Sequence, residues 1–270
     1  MPVRKLKNGA CFVEPGRSGE GRRFALTANF VIEWLYAADV TQAVNGEHEL
    51  LVIFHDTPGV IEGGYGVAQA PAGSVALLPP GSHAIEIQDS GVAVVLSTSR
   101  PDLDPTDAIN AGYERNPAVA PVQPYVRQVP LGAPVVQLMA DIPPPLGNPR
   151  LRFLQSDTMS INMVLYEGER DRRALSPHKH LDIEQGTLAL AGSYIHHLRV
   201  PWGRNADEWV EDIHLAAGPG SLLRIPPQVI HTTEGVGGGR HVMLDIFAPP
   251  REDFRDKGWI SNAKDYSLPN

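Results

Sequence analysis

The chain has 270 residues, of which 42% are hydrophobic and 20% are charged, a composition typical of a folded globular protein. Its 26 glycines and 25 prolines would interrupt long helices, so the composition excludes a helical bundle and favours many short strands joined by tight turns. The formal net charge is −8, from 23 basic and 31 acidic residues, and this balance argues against nucleic acid as a partner.

Cysteine usage and the N-terminal residues bear on the cellular compartment. The single cysteine, Cys11, cannot form a disulfide within the chain. The N-terminal residues contain no apolar run of signal-peptide length, and no apolar stretch along the chain is long enough to span a membrane. We therefore expect a cytoplasmic protein that does not associate with membranes.

Short apolar runs broken by turns follow one another along the chain and predict β-strands. These runs are residues 30–36, 49–55, 74–81 and 91–97 in the first half, and residues 161–168, 186–198, 221–227 and 241–250 in the second. Between the halves, residues 101–150 carry many of the prolines and predict a connector, with an edge strand near Val135 and Val136. A short helix is predicted only at residues 250–257.

The two halves also share a sequence pattern. Gly73 and Pro79 lie six residues apart in the first half, and Gly220 and Pro226 have the same separation in the second, each pair enclosing an apolar run. A second match lies upstream in the same order, at residues 33–36 and 163–166. The sequence therefore predicts that one β unit has been duplicated.

The residues that point most directly to chemistry are two histidines and a glutamate close together in the second half. On a strand, alternate side chains share a face, so His178 and His180 would project together, with Glu184 in phase with them. A third imidazole is available at His231, after the Pro226–Pro227 turn. Three imidazoles and one carboxylate suit Fe(II), Mn(II), Ni(II) or Zn(II), so we predict a site for one divalent transition metal.

This pattern resembles the two signature motifs of the cupin superfamily. Glycine at position 192 follows the first motif one residue later than the usual spacing, and Gln228 stands in the second motif where glycine is usual. The resemblance implies an all-β fold of double-stranded β-helix, or jelly-roll, barrels with the site inside. With the internal repeat, it implies a bicupin whose metal motifs are complete only in the C-terminal barrel.

The predicted domains follow from the repeat and the resemblance. They are an N-terminal barrel at 1–100, a proline-rich connector at 101–150 and a metal-binding C-terminal barrel at 151–270. In the first half His83 falls one residue early and Ala84 occupies the ligand position, so we expect the N-terminal barrel to lack a metal. Its expected roles are to pack against the other barrel and to widen the interface of a homodimer.

Three functions are compatible with such a site. The leading hypothesis is a mononuclear-metal dioxygenase, with Fe(II) favoured over Mn, Ni or Zn, that acts on a small phenolic, enolic or carboxylate substrate and uses Glu184 as a general base. The first alternative is a non-redox metal-dependent lyase, decarboxylase or isomerase. The second is a non-catalytic cupin that binds a small molecule.

Aromatic and arginine side chains are the candidates to bind the substrate. Tyr194 and Trp202 offer aromatic faces between the two motifs, on which a ring could stack. Arg173, Arg199 and Arg224 are candidates to hold a substrate carboxylate through paired hydrogen bonds.

Overall fold

The computed structural model describes residues 3–16, 22–37, 41–88 and 90–268, and these residues form mostly β-strands. The strands of the first half are β1 (Val3–Lys5), β2 (Cys11–Val13), β3 (Arg23–Leu26), β4 (Val31–Tyr36), β5 (Gln42–Gly46), β6 (Leu50–Phe54), β7 (Gly59–Gly63), β8 (Gly66–Ala70), β9 (Ser74–Leu78), β10 (Gly81–Ile87) and β11 (Val92–Ser97).

The connector contributes two short strands, β12 (Val126–Arg127) and β13 (Val135–Leu138). The strands of the second half are β14 (Leu151–Gln155), β15 (Ser160–Glu167), β16 (Gln185–Ala191), β17 (Ser193–Arg199), β18 (Ile213–Ala217), β19 (Leu222–Ile225), β20 (Ile230–Val236), β21 (Arg240–Phe247) and β22 (Tyr266–Ser267). A short helix, α1 (Glu252–Asp256), lies within the predicted helical segment.

The strands form two barrels, each made of a large and a small antiparallel sheet. The first barrel combines a six-stranded sheet, in the order β13-β9-β6-β11-β4-β3, with a four-stranded sheet, β5-β10-β7-β8. The second combines a seven-stranded sheet, β1-β2-β19-β16-β21-β15-β14, with a three-stranded sheet, β18-β17-β20. The predicted all-β fold of two jelly-roll barrels is therefore confirmed.

Each barrel takes a strand from outside its own half of the chain. Strand β2 pairs with β19 of the second barrel, so that Phe12 lies opposite Leu223, although residues 1–100 were predicted to form the first barrel. Strand β13 of the connector pairs with β9 of the first barrel. Sheet membership thus departs from the predicted boundaries at both places, because exposed edges of each barrel are covered by these exchanged strands.

The two large sheets pack face to face, because their strands have apolar side chains on both surfaces. In β4, Leu35 faces the interior of the first barrel, whereas Ile32 and Trp34 face the second barrel. In β21, Leu244 and Ile246 face the first barrel in the same way. The shared layer is completed by buried residues of both sheets, including Leu51, Ile53, Val75, Val94, Ile161, Met163, Leu188 and Leu222.

The repeated glycines occupy equivalent turns. Gly73 and Gly220 precede β9 and β19 with positive φ values of 82° and 85°, a conformation that glycine adopts without steric cost. Eight residues further on, Gly81 has a φ of 122°, and its counterpart Gln228 has a φ of 71°. A side chain in this conformation costs about 1 kcal/mol. The backbone N–H of Gln228 donates to the backbone oxygen of His180 at 2.8 Å, so this turn contacts the predicted metal motif.

Two further expectations concern the surroundings of the protein. No helix in the described part of the chain is long and apolar enough to cross a membrane. The homodimer stays a prediction.

We predict that Phe12→Ala lowers the free energy of unfolding by about 3–5 kcal/mol, because Phe12 is 1% exposed within the core of the second barrel. Urea unfolding followed by circular dichroism measures the change. Val67→Ala is the control, since Val67 is 62% exposed and its truncation should cost less than about 0.5 kcal/mol. A loss below about 1 kcal/mol for Phe12→Ala would show that β2 is not part of this core.

Candidate metal centre

Three of the predicted ligands come together at one end of the second barrel. One ring nitrogen each of His178, His180 and His231 lies within 4.8 Å of the others. His178 and His231 are held by two backbone hydrogen bonds, in which each amide donates to the carbonyl of the other residue at 3.0 and 2.8 Å. His178 is exposed, whereas His231 is 4% exposed, so the group opens to solvent on the His178 side.

Glu184 does not join this group, contrary to its predicted role as ligand and general base. Residues 178–184 form a bent segment rather than a continuous strand, so the alternation that put Glu184 in phase with the histidines is lost. The Glu184 carboxylate accepts from Arg224 Nη1 at 2.5 Å and from the backbone amide of Ala28 at 2.7 Å. It therefore ties the second barrel to the first and is not available to the histidines.

Gln185, the next residue, takes the place predicted for Glu184. It begins β16 and its side chain points into the barrel, where Oε1 lies 2.8 Å from His180 Nε2 and 3.0 Å from His231 Nε2. Sequence reasoning missed this residue, although one signal was present. Glycine 192 has the usual spacing of the motif when it is counted from Gln185 rather than from Glu184.

Hydrogen bonds to carbonyl oxygens fix the protons of two histidines. His178 Nδ1 donates to the Ser176 oxygen and His231 Nδ1 donates to the Val229 oxygen, both at 2.9 Å. Because a neutral imidazole carries one proton, each Nε2 is left with a free lone pair. Burial is the main cause that lowers the pKa of His231 to about 3, so this ring is neutral near pH 7.

A row of polar side chains supports Gln185 from inside the barrel. Asp245 on β21 lies between Asn162 on β15 and Thr187 on β16, directly opposite both in the sheet. Gln185 Nε2 donates to Thr187 Oγ1 and to Asp245 Oδ1, each at 2.8 Å. Burial raises the pKa of Asp245, while the hydrogen bond from Thr187 acts in the opposite direction. This row orients the glutamine amide.

Arg251 is a second residue that sequence reasoning missed. Its Nη1 lies 2.6 Å from His180 Nδ1, and its Nε donates to Asp253 at 2.7 Å. In this arrangement Nδ1 of His180 accepts and Nε2 carries the proton. Burial, together with the charge of Arg251, lowers the pKa of His180 to about 4. Arg251 directly follows Pro249 and Pro250, which come after the end of β21 at Phe247.

Arg251 also lines a surface cavity of about 530 Å³. The lining includes the carboxylates Asp182, Glu252, Asp253 and Asp256. These groups make the cavity unfavourable for an anion. The exposed His178 side is therefore the better approach for an anionic molecule.

The predicted substrate-binding arginines have other partners in the structure. Arg224 forms an ion pair with Glu184, and its guanidinium lies 4.3 Å from the centroid of the Tyr113 ring. The Arg173 side chain is 92% exposed and lies 3.3 Å from Asp171. Arg199 pairs with Asp212 at 2.5 Å on the surface. A role for these residues in substrate binding stays a prediction.

The two predicted aromatic residues differ in exposure. Tyr194 is 1% exposed, packs in the core of the second barrel and donates its hydroxyl proton to the Ala191 oxygen at 2.8 Å. Trp202 is 72% exposed and stacks on Trp209, with 4.4 Å between the ring centroids. Tyr194 thus serves packing, and substrate stacking on Trp202 stays a prediction.

The interior of the first barrel has different polar groups. His83 Nδ1 lies 2.8 Å from the Tyr65 hydroxyl, and its Nε2 lies 2.8 Å from the Pro79 oxygen. Glu33, on β4, is fully buried and lies 2.6 Å from both Arg22 and Arg100. That this barrel binds no metal stays a prediction.

Solved structures with the same fold can be compared with this one. Oxalate decarboxylase of Lactobacillus farciminis, in a formate complex, superimposes with a TM-score of 0.55 and 14% sequence identity over 92% of this chain and 84% of that chain. The protein has the cupin fold. A putative glyoxylate-induced protein from Pseudomonas aeruginosa gives a TM-score of 0.53 at 14% identity, with the same coverage of 92% and 84%.

A mutant of Bacillus subtilis oxalate decarboxylase gives a TM-score of 0.52 at 11% identity, covering 92% of this chain and 74% of that chain. No protein-family model and no curated protein matches the sequence. Identities this low establish a shared fold, and the function of this cupin chain has to be argued from its own site.

We predict that His196 makes the protein sensitive to acid. His196 is 1% exposed beside the site on β17, and burial lowers its pKa from 6.5 to about 4. Between these values the unfolded chain binds the extra proton, so the free energy of unfolding falls by about 1.4 kcal/mol for each pH unit of acidification.

The measurement is urea unfolding between pH 4.5 and 7 of the wild type and of His196→Asn, which keeps a polar partner for Thr233 but does not titrate. The variant should show a shallower loss of stability with acid, by about one proton. Equal slopes for the two proteins would contradict a buried, neutral His196.

Proposed function

We propose that the protein is a metal-dependent enzyme of the lyase or decarboxylase type that acts on a small organic acid. The observation that carries the proposal is the convergence of His178, His180 and His231 with Gln185 Oε1 inside the second barrel. The similarity of fold to oxalate decarboxylase supports this reaction class over the dioxygenase that the sequence favours.

The donor chemistry fits a divalent ion. His178 and His231 each present a free Nε2 lone pair, and Gln185 Oε1 points toward the same space. Nitrogen and neutral oxygen donors suit Mn(II), Fe(II), Ni(II) and Zn(II) alike. His180 would complete the set in the tautomer that carries its proton on Nδ1, in which Arg251 no longer donates to that nitrogen. The metal identity is thus left open among these ions.

When bound, a divalent ion supplies a Lewis acid that polarises a substrate oxygen. Residues of the chain orient the imidazoles: two backbone carbonyls accept the Nδ1 protons of His178 and His231, so that Nε2 of each ring points into the site. Phe247 packs edge-on against His180, with 5.4 Å between ring centroids, and keeps water from that side. In decarboxylation the bond to the carboxylate carbon breaks, carbon dioxide leaves, and the remaining carbon keeps the electron pair and takes a proton.

The first test is metal binding. Metal-free wild-type protein titrated with Co(II) or Zn(II) in a calorimeter should bind one ion per chain. His231→Ala should weaken binding by more than about 100-fold, because it removes a donor from the buried side of the site. His214→Ala is the matched control, since His214 is an exposed histidine on β18 that lies outside the group. Equal affinity of His231→Ala and wild type would contradict the proposed site.

The second test separates the reaction classes. Metal-loaded protein is incubated with oxalate and other small carboxylic acids, with and without oxygen, and carbon dioxide release and substrate loss are measured. A lyase or decarboxylase that uses the metal only as a Lewis acid should react at equal rates in both conditions and should lose activity in His231→Ala. Turnover only with oxygen would support the dioxygenase, and tight binding of an acid without turnover would support a non-catalytic binder.

A further inference from the structure

We propose that Gln185 is the fourth metal donor, that the donor set is therefore uncharged, and that the site binds its substrate as an anion, a small carboxylate, directly at the metal. This inference rests on the metal site of the proposed function. It departs from the carboxylate ligand that the resemblance implies at Glu184.

The orientation of the Gln185 amide is determined by its partners. Gln185 is 3% exposed, and one end of its side-chain amide faces Asp245 Oδ1 and Thr187 Oγ1. Thr187 donates its hydroxyl proton to the same Asp245 oxygen at 2.9 Å, so both groups accept from the glutamine. With Asp245 accepting from both groups, the NH2 group faces Asp245 and Oε1 faces the histidines.

The other end of the amide meets an acceptor. His231 carries its proton on Nδ1, which donates to Val229, so its Nε2 has only a lone pair. That lone pair faces Gln185 Oε1 across 3.0 Å, a distance at which one of two polar atoms normally carries a proton. His180 Nε2 donates its proton to Gln185 Oε1, and this proton does not lie between Oε1 and His231 Nε2. A cation between these donors would satisfy them together.

The charge of the site follows from this donor set. Three neutral imidazoles and an amide oxygen leave a divalent ion with its charge of +2, whereas a glutamate ligand would reduce it to +1. The Glu184 carboxylate is paired with Arg224, and Asp245 contacts the NH2 end of Gln185. Lys179 lies beside His178 and His180 in the chain and adds positive charge, whereas the charge of Arg251 is paired with Asp253. An anion that binds the metal would therefore be strongly attracted.

The experiment compares Gln185→Glu, Gln185→Leu and wild type after loading with Co(II), whose visible absorption reports on its ligands. We expect Gln185→Glu to retain Co(II) but to bind oxalate at least about 10-fold more weakly, because one negative charge is added next to the metal. Gln185→Leu should lose Co(II) affinity by about 10-fold or more. Thermal unfolding of each variant tests whether the fold is retained.

Glu184→Gln is the matched control, because it makes the reverse change at the neighbouring residue, whose carboxylate contacts Arg224 and not the histidines. It should lower thermal stability, because Arg224 loses its charged partner, but should leave Co(II) affinity, the Co(II) spectrum and oxalate affinity unchanged. If wild type binds no Co(II), both the proposed function and this inference fail. If wild type binds Co(II) but Gln185→Leu binds it equally well, or Gln185→Glu binds oxalate as wild type does, the inference alone is overturned.

Discussion

The apolar layer buried between the two large sheets determines how the rest of the molecule is arranged. Strands β4 and β21 both direct alternate side chains into this layer, among them Trp34, Leu244 and Ile246. Side chains of the other parity must then point into the barrels. In β21 these are Met243, Asp245 and Phe247, so the packing between barrels also fixes which residues of the second barrel can form its site.

This parity separates two adjacent residues that have different roles. Gln185 faces the barrel interior, where the polar row through Asp245 orients its amide toward the histidines. Glu184 faces outward, where Arg224, Tyr113 and the backbone amide of Ala28 surround its carboxylate. A buried carboxylate requires such partners, and removing one of them would leave an uncompensated charge. Glu184 therefore adds polar contacts between the first barrel, the connector and the second barrel.

The sequence was most informative where a local pattern determines the structure. Apolar runs marked the principal strands, and the paired Gly73 and Gly220 marked equivalent turns, because positive φ angles require glycine for steric reasons. The three histidines could be recognised from their types and order. The direction of the Glu184 side chain could not be predicted, because it depends on a bend at residues 181–182 that the sequence pattern does not show.

The exchange of strands was also beyond prediction from the sequence. Strand β2 has only three residues, all of them buried, so it shows no alternation that would assign a face or a partner. Its partner, β19, lies some two hundred residues away in the chain. Arg251 was missed for a related reason: its proximity to His180 depends on how the chain leaves β21 after two prolines, which is set by tertiary packing.

The pairing of β2 with β19 also bears on the order in which the chain can fold during synthesis. Residues 11–13 leave the ribosome some two hundred residues before Leu222–Ile225, against which they pair. The first barrel can close as soon as β13 has emerged, while β2 waits for its partner. A cut in the connector before β13 would give two incomplete barrels, one with β9 and the other with β19 as an uncovered edge open to pairing with other chains.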